Sequence, residues 1–289
     1  MAIEPVDYSK LFIPERFTPL FHTPVYAQLS NSQRLRYNQL HASYFNEQTI
    51  FFESAMAQYI LRAFISRKLP KSLADGLRTF VAEESAHSKM FRELNLRCLQ
   101  EIYANGDFHF IRLPFLPSAF LQQWVKRAHR FPFFLWILLI QEERALFYAK
   151  EFLNQAADLE PKFVATQRRH LADEVGHVQW DEELLDWVWP QTGKRWREIN
   201  ARLFSWMMGE YFTTPKRSGL RVVMQLVKEF PELKPRWPEL HKQMLQLSGN
   251  QEFNSLSYSR TITPKAFARF DQWPEFRLLG KVLPGYSPP

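Results

Sequence analysis

Two copies of one short pattern place carboxylates and imidazoles at matching intervals along this chain of 289 residues. In each copy a glutamate is followed 31 residues later by a Glu-x-x-His motif, and the copies lie 90 residues apart. The first copy is Glu53, Glu84 and His87, and the second is Glu143, Glu174 and His177. Helical bundles that hold two metal ions use such a ligand set, with a Glu on one helix facing a Glu-x-x-His on the next. The repeat therefore predicts a two-metal site.

A third histidine, His170, lies beside the second copy. The two motifs together with this histidine are improbable by chance. A chain of this composition contains roughly 0.6 Glu-x-x-His pairs by chance, whereas this one contains the two described. His170 lies one turn before Glu174 and two turns before His177, so the three residues share one helix face. As a seventh protein ligand, His170 would bias one metal ion toward nitrogen donors. The alternative is a buried structural histidine, because its counterpart in the first copy is Phe80.

Other acids near the pattern compete for the same role. Glu142 stands beside Glu143, and only the equal interval to the next motif favours Glu143 as the ligand. Glu47 is a further acid on the first helix, but its interval to the next motif breaks the symmetry. Glu83 and Asp173 each directly precede a motif glutamate. We expect both to accept the N–H of a ligand imidazole from the opposite half, with exposed surface acids as the alternative.

Four buried glutamates need a compensating charge, because they would repel one another and lose their hydration. Two Fe²⁺ ions balance four carboxylates, so the reduced site would be neutral. Oxidation to two Fe³⁺ would leave an excess positive charge that a reduced-oxygen dianion cancels. Oxygen ligands combined with imidazole suit iron or manganese, and the lack of cysteine ligands disfavours structural zinc. The ligand set thus favours a diiron centre that binds oxygen.

Bulk composition narrows the class of protein. The hydrophobic content of 46% permits a sizeable core, and only nine glycines disfavour an all-β fold. One cysteine excludes an internal disulfide and fits a reducing cytosol, so we expect a cytoplasmic protein. The net charge of +7 would suit anionic substrates or an acidic partner protein, but no motif indicates nucleic acid. The opening residues lack a signal-peptide layout, and the longest apolar run, 131–140, is too short to cross a membrane.

Helical periodicity runs through most of the chain and predicts an all-α fold. The four long helices of a bundle are predicted at about 32–67, 70–104, 132–157 and 161–189. A connection at 105–117 and a short helix at 118–129 separate the two hairpins, and further helices are predicted at about 192–211, 218–230 and 237–247. The last 40 residues show no period, but their aromatic side chains predict an ordered tail. We expect one domain over 1–289, with its bundle core at about 32–190.

With these residues in place, the chain resembles the p-aminobenzoate N-oxygenase family of non-haem diiron oxygenases. The resemblance is strongest in the segment HLADEVGH, and the segment YNQLHASYFNEQTIFFE is also similar to the family. The resemblance covers about residues 30–230 and implies a ferritin-like bundle with additional C-terminal helices. The seven ligands of the family, which are also its catalytic centre, correspond here to Glu53, Glu84, His87, Glu143, His170, Glu174 and His177.

The resemblance also implies an activity and its requirements. Such enzymes bind O₂ at two Fe²⁺ ions and form a peroxo-diiron(III) species, which oxidises an amine to a hydroxylamine, nitroso or nitro product. The implied substrate is an aryl or alkyl amine of a biosynthetic pathway, free or carrier-tethered. The chain has no nucleotide-binding glycine motif and no cluster cysteines, so an external electron donor is implied. We expect no nucleic-acid or membrane partner, and a homodimer is an open possibility.

Three other functions are open at this point. A ferroxidase or iron-storage protein uses a similar paired motif, but it would need neither His170 nor the long segment after the bundle. A ribonucleotide reductase small subunit has comparable spacings, yet Phe91 stands where its radical tyrosine usually lies. A diiron hydroxylase acting on a carbon of a small or carrier-tethered acid would suit the positive net charge.

Side chains one helical turn from the predicted ligands are candidates for a substrate pocket. They are Ala57, Phe80, Leu139 and Phe147. The pocket, unlike the ligand set, has no counterpart in the resemblance that can be aligned.

Overall fold

The computed structural model describes residues 5–112, 115–213, 216–283 and 285–288, and of residues 115–118 the backbone alone. Within this part of the chain helices predominate, and two isolated bridges are the only β-structure. The predicted all-α fold is confirmed. The α-helices are α1 (Asn31–Phe52), α2 (Gln58–Ile65), α3 (Lys71–Cys98), α4 (Gln100–Tyr103), α5 (Phe115–Val125), α6 (Phe133–Asn154), α7 (Pro161–Val188), α8 (Lys194–Met207), α9 (Ser218–Glu229), α10 (Trp237–Gln246), α11 (Gln251–Ser255) and α12 (Pro264–Gln272).

Four long helical segments form a ferritin-like bundle. The first segment joins α1 to α2 through a π-helical stretch, Glu53–Ala57, and the others are α3, α6 and α7. α3 packs against α1 and α7, and α7 packs against α6, so the two hairpins lie side by side. The bounds agree with the predicted helices to within a few residues, except that a break at Leu99 separates α3 from α4.

Local sequence explains where the bundle helices begin. Ser30 and Gln33 form a capping box at the start of α1, in which each side chain accepts the backbone N–H of the other residue. Pro161 opens α7, and the side chain of Glu160 accepts the N–H groups of the two residues that follow the proline. Pro70 directly precedes α3. These signals position both hairpin turns and therefore set the height at which each helix presents its carboxylates.

The apolar run of α6 is the centre of the main hydrophobic core. Every side chain from Phe133 to Ile140 is at most 1% exposed. A helix that is apolar all round needs burial on every side, and α7, α8 and α12 all pack against this one. Across the described ranges, no helix is both long enough and apolar enough to cross a membrane.

The C-terminal region is more helical than its sequence indicated. The last 40 residues contain α11, α12 and a 3-10 helix at Pro274–Lys281. Phe267, Phe270 and Phe276 are buried, and the ring of Phe276 lies 4.4 Å from that of Trp136 on α6. The absence of a period was misleading because α12 spans only nine residues, too few for a helical pattern to stand out.

A buried carboxylate anchors the connection between the two hairpins. Glu47 accepts hydrogen bonds from the hydroxyl of Tyr103 and from the successive backbone N–H groups of residues 109–111. These bonds tie the connection to α1, so the acid that the sequence left aside as a ligand has a structural role. Part of the predicted connection, residues 113–114, lies outside the described residues, and α5 begins at 115 rather than at 118.

Candidate metal centre

Seven titratable side chains meet in the middle of the bundle. The π-helical stretch supplies one carboxylate, α3 and α7 each supply a Glu-x-x-His pair, α7 adds a further histidine, and α6 supplies one carboxylate. All seven side chains belong to residues that are at most 3% exposed: Glu53, Glu84, His87, Glu142, His170, Glu174 and His177.

Four of these residues are close enough to share one metal ion. Glu84, His87, Glu174 and His177 each offer a ligand atom, and these atoms lie within 4.8 Å of one another. His177 Nδ1 is 3.3 Å from Glu174 Oε1 and 3.5 Å from Glu84 Oε1. His87 Nδ1 is 3.8 Å from Glu84 Oε1 and 3.9 Å from Glu174 Oε1. Glu142 Oε2 also lies 3.5 Å from His177 Nδ1, so a third carboxylate borders this group.

A second group of ligand atoms overlaps the first. Glu53, His87 and His170 offer atoms within 4.8 Å of one another. His170 Nε2 is 3.3 Å from Glu53 Oε1 and 2.9 Å from Glu174 Oε1. Because His87 belongs to both groups and Glu174 reaches His170 as well as His177, the two groups form one continuous cluster. The structure therefore brings six of the seven predicted ligands together.

Several atoms of the cluster have no hydrogen-bond partner within the described residues. They are Nδ1 of His87 and of His177, both carboxylate oxygens of Glu84 and, apart from the ion-pair contacts given above, both carboxylate oxygens of Glu174. A buried polar atom left without a partner costs roughly 1–3 kcal/mol, and native proteins rarely leave one. Metal ions would satisfy the imidazole nitrogens and carboxylate oxygens together, and this donor set suits iron or manganese. The residues present thus fit a metal centre.

Neighbouring carboxylates raise the pKa values of two histidines of the cluster. Burial alone would lower the pKa of His170, but Glu174 and Glu53 raise it to about 10. Burial is likewise outweighed at His177, where the nearby carboxylates of Glu142 and Glu174 raise the pKa to about 12. Without a metal, these two imidazolium ions are the main positive charges facing the carboxylates.

Burial and repulsion between neighbouring carboxylates raise the pKa values of two glutamates of the cluster. Burial and the nearby charge of Glu53 raise the pKa of Glu84 well above its ordinary value. Burial and the charge of Glu174 raise the pKa of Glu142 to about 8. Metal binding reverses this balance, because it requires neutral imidazoles and ionised carboxylates, so protons must leave as metal enters.

Two carboxylates outside the cluster contact the Nε2 atoms of two cluster imidazoles. Asp173 Oδ2 lies 2.9 Å from His87 Nε2, and Glu83 Oε2 lies 3.0 Å from His177 Nε2. Both contacts cross from one hairpin to the other. A carboxylate that accepts the Nε2 hydrogen leaves the lone pair on Nδ1, the nitrogen that faces the cluster.

Glu143, which the sequence interval favours as a ligand, does not lie among the cluster residues. Its carboxylate accepts hydrogen bonds from the backbone N–H groups of Lys265 and Ala266, both at 2.8 Å. Successive residues of an α-helix point about 100° apart, so the two adjacent glutamates of α6 cannot face the same side. Glu142 faces the cluster, and Glu143 caps the start of α12.

A further buried acid beside the cluster was missed by the sequence reasoning. Asp181 is 1% exposed, and neither of its carboxylate oxygens has a hydrogen-bond partner among the described residues. Burial and the charge of Glu142 raise the pKa of Asp181 well above its usual range. Asp181 follows His177 by one helical turn and so shares the ligand face of α7. That spacing was the available signal in the sequence.

Glu53 lies at a local distortion of its helix. From Glu53 to Ala57 the chain is π-helical, and the N–H of Gln58 bonds to the carbonyl of Glu53. Single π-turns within α-helices are frequent at functional sites. The hydroxyl of Ser88 on α3 donates a hydrogen bond of 3.1 Å to Glu53 Oε2, which leaves Oε1 directed at His170.

Two adjoining cavities lead to one side of the cluster. The smaller cavity, of about 60 Å³, is lined by Glu53, Glu142 and His170 together with residues of α1 and α6. The larger cavity has a volume of about 240 Å³. The two cavities share five lining residues, which are Gln48, Phe52, Gln141, Arg144 and Tyr148. A molecule in the larger cavity would therefore reach the cluster through the smaller one.

The four predicted pocket residues line neither of these cavities. Ala57, Phe80 and Leu139 are fully buried in the main core, and the ring of Phe80 stacks on that of His177 at 3.9 Å between centroids. Phe147 packs in a separate apolar cluster beside α1. A residue one turn from a ligand can equally face a neighbouring helix.

The fold and the cluster together define a ferritin-like helical bundle with a buried centre of carboxylates and imidazoles. The family model described as P-aminobenzoate N-oxygenase AurF matches residues 3–243, a span that contains the whole cluster, and the chain belongs to this family. Membership indicates an oxygenase and hence an oxidoreductase. Among curated proteins, none matches the chain significantly.

Proposed function

We propose that the protein is a diiron N-oxygenase that uses O₂ to oxidise the nitrogen of a small aryl or alkyl amine. The family match supports oxidation at nitrogen. The observation that carries the diiron part is the convergence of buried ligand atoms of Glu84, His87, Glu174 and His177 within 4.8 Å of one another, several of which have no hydrogen-bond partner among the described residues. The cavities beside the cluster support a small-molecule substrate rather than iron storage.

Seven side chains would hold the two ions. Iron bound there would supply electrons to O₂ and the Lewis acidity that activates it, and manganese is the other ion that the donor set suits. Glu83 and Asp173 would fix the orientation of two imidazoles from behind. The proposed ligands are Glu53, Glu84, His87, Glu142, His170, Glu174 and His177.

The surrounding residues would restrict access to one side of the centre. The small cavity touches Glu53 and His170, and its outer wall includes Phe52 and Gln141. Substrate and O₂ would approach there. On the other side, the stacked ring of Phe80 and the apolar core behind it exclude water. One-sided access of this kind favours reaction with a bound substrate, because solvent cannot compete from the closed side.

Electrons for repeated turnover would come from outside the chain. The one cysteine, Cys98, is buried, and burial and the charge of Glu160 raise the pKa of its thiol to about 12. A single thiol of this kind is neither a dithiol carrier nor an iron–sulfur ligand set. An external reductant is therefore part of the proposal.

Anaerobic titration of the metal-free protein with Fe²⁺ tests the diiron part. We expect saturation at two ions per chain, and a loss of both ions in Glu174→Ala because that carboxylate reaches both ligand groups. Glu183→Ala is the matched control, since Glu183 lies on the same helix but is exposed and bonds only to Gln179 among the described residues. Saturation of the unmodified protein at one ion or none would reject the dinuclear centre.

A further inference from the structure

Trp180 on α7 connects a proposed metal ligand with the surface of the bundle. Its ring lies 6.2 Å from that of His177 and 6.1 Å from that of Phe80, measured between ring centroids. Trp180 is partly exposed, whereas His177 is fully buried and its Nδ1 lies 3.3 Å from Glu174 Oε1. Aromatic contacts therefore lead from the outside of the protein to a side chain of the cluster.

The other aromatic rings beside the cluster imidazoles are enclosed. Within the described ranges, Phe80 stacks on His177 with 3.9 Å between centroids, and Phe91 lies 5.1 Å from His170. Both phenylalanines are 0% exposed. Of these three rings, Trp180 is the one that a molecule in solution can touch.

A glycine on the facing helix makes room for the indole. A Cβ atom added at Gly76 on α3 would lie 2.4 Å from Trp180 Nε1 and 2.8 Å from two carbons of the ring. Glycine in a helix interior is less favourable than alanine, so α3 carries this residue at a cost to its own stability. The indole thus lies between α3 and α7, and a larger residue at position 76 would displace it.

This side of the cluster lies away from the two cavities, because neither Trp180 nor Phe80 lines them. Four arginine or lysine side chains and one glutamate line the large cavity. By contrast, the seam between α3 and α7 holds the acids Glu83 and Asp173, whose side chains are 30% and 36% exposed. The charges of the cavity therefore repel a cationic electron donor, and the acids of the seam attract it.

We propose that Trp180 conducts electrons from a one-electron donor at this seam to the metal centre through His177. This inference rests on the proposed function of the same centre, which has to be reduced before each reaction with O₂. Each donor loses one electron, and one ferric ion gains it to become ferrous, so two donors of the iron–sulfur class restore a diferric centre. No bond forms or breaks, and both rings return to their original state.

The contribution of the indole is to shorten the distance that an electron must cross. Electron transfer slows steeply as the gap between donor and acceptor widens, and conjugated rings in contact reduce the part of the gap that saturated groups fill. A donor placed on the exposed part of Trp180 is separated from the metal by the indole and the imidazole. Trp180 contacts neither metal nor substrate, so it acts through His177.

Stopped-flow reduction of the oxidised, iron-loaded protein tests this route. The donor is reduced methyl viologen, a cationic one-electron dye, which is mixed in excess without O₂ while its bleaching is followed. Trp180→Leu should lose the fast reduction of the unmodified protein, because an aliphatic side chain replaces the conjugated ring. Trp180→Phe should be reduced at an intermediate rate, because its ring is smaller.

Trp187→Leu is the matched control, because Trp187 lies on the same helix and is 42% exposed but is not among the rings that adjoin a cluster imidazole within the described residues. It should be reduced at the unmodified rate. The reaction of the ferrous protein with O₂ is a second readout, and its rate should be the same in every variant because O₂ enters from the cavity side. A purely structural role of Trp180 beside His177 would change both rates.

Unmodified rates of dye oxidation in both Trp180 variants, or equal slowing of the dye and O₂ reactions, would overturn the proposal. An unmodified protein that holds two iron ions but is not reduced by the dye would do the same. Iron content is measured on every variant, so an unmodified protein that binds no iron reports a failure of the proposed function rather than of this route. If Trp180→Leu alone lost its iron, the rate of Trp180→Phe would decide.

Discussion

The adjacent glutamates of α6 allow a sharp test, because the structure gives them separate tasks. Glu143 accepts the N–H groups of Lys265 and Ala266 at the start of α12, where the side chain of Thr263 at the cap position makes no capping hydrogen bond to the helix. Glu143→Gln leaves one acceptor oxygen and sets an amide N–H₂ against the second donor. A buried donor without a partner costs about 1–3 kcal/mol. At about 2–4 °C per kcal/mol, the melting temperature should fall by roughly 2–12 °C.

Glu142→Gln should leave the stability intact and weaken iron binding instead. The Glu142 carboxylate borders the metal-ligand cluster, where burial and the charge of Glu174 raise its pKa to about 8. A neutral amide of the same shape relieves that repulsion, so the metal-free variant should melt at or above the temperature of the unmodified protein. An amide is a poor ligand for iron, so the variant should bind only about one Fe²⁺ tightly.

Thermal unfolding of the metal-free variants and anaerobic Fe²⁺ titration measure both effects. We expect Glu142→Gln to lose iron and keep its stability, and Glu143→Gln to lose stability and keep iron. The reverse pattern would refute the assignment and restore the ligand that the sequence interval favoured. If both variants kept full iron binding, α6 would supply no ligand at all.

Three further perturbations address the surroundings of the cluster. Asp173→Ala removes the acceptor 2.9 Å from an imidazole Nε2 and should weaken metal binding by about 10- to 100-fold in a chelator competition; unchanged affinity would contradict its orienting role. Gly76→Ala places a Cβ 2.4 Å from Trp180 Nε1 and should cost about 1–3 kcal/mol in denaturant unfolding by displacing the indole; undiminished stability would show that the helices separate freely. The metal-free protein should lose stability from pH 6.5 to 8, by up to about 1.4 kcal/mol per pH unit for each group. The folded-state pKa values of His170 and Glu142, about 10 and about 8, lie above the ordinary 6.5 and 4.5, so unfolding releases protons there. A stability that rises over this range would contradict those shifts, and metal-loaded protein should show a weaker dependence.

Helices and their turns were predictable because their signals are local. Pro70 and Pro161 mark the starts of α3 and α7, and the apolar periodicity between them is long enough to be recognised. Ligands within one helix were equally accessible, since a Glu-x-x-His spacing fixes their shared face regardless of the rest of the fold. Short elements such as α12 carried no comparable signal.

The register of one hairpin relative to the other is not determined by local sequence. The equal intervals in the two copies suggested equal geometry, but the turn before α3 spans 66–70 and the turn before α7 spans 155–160. The first copy also contains the π-helical stretch Glu53–Ala57, whereas α6 has no such interruption. A difference of one residue turns a helix face by about 100°, which is enough to exchange Glu142 for Glu143.

The cavities depend on how several elements meet, and no residue pattern encodes that directly. The large cavity combines residues of α1 and α6 with Tyr211 and Phe253, which lie far away in the sequence.

Analysis of the reaction products shows whether the protein oxidises the nitrogen of an amine. The protein, loaded with Fe²⁺, is supplied with an aryl amine such as 4-aminobenzoate, a reductant and ¹⁸O₂, and the products are resolved by mass spectrometry. We expect hydroxylamine, nitroso or nitro products with ¹⁸O on nitrogen, and none with Glu174→Ala. A ring-hydroxylated product would contradict oxidation at nitrogen, and ferric iron accumulating beyond two ions per chain without any oxidised amine would contradict an oxygenase.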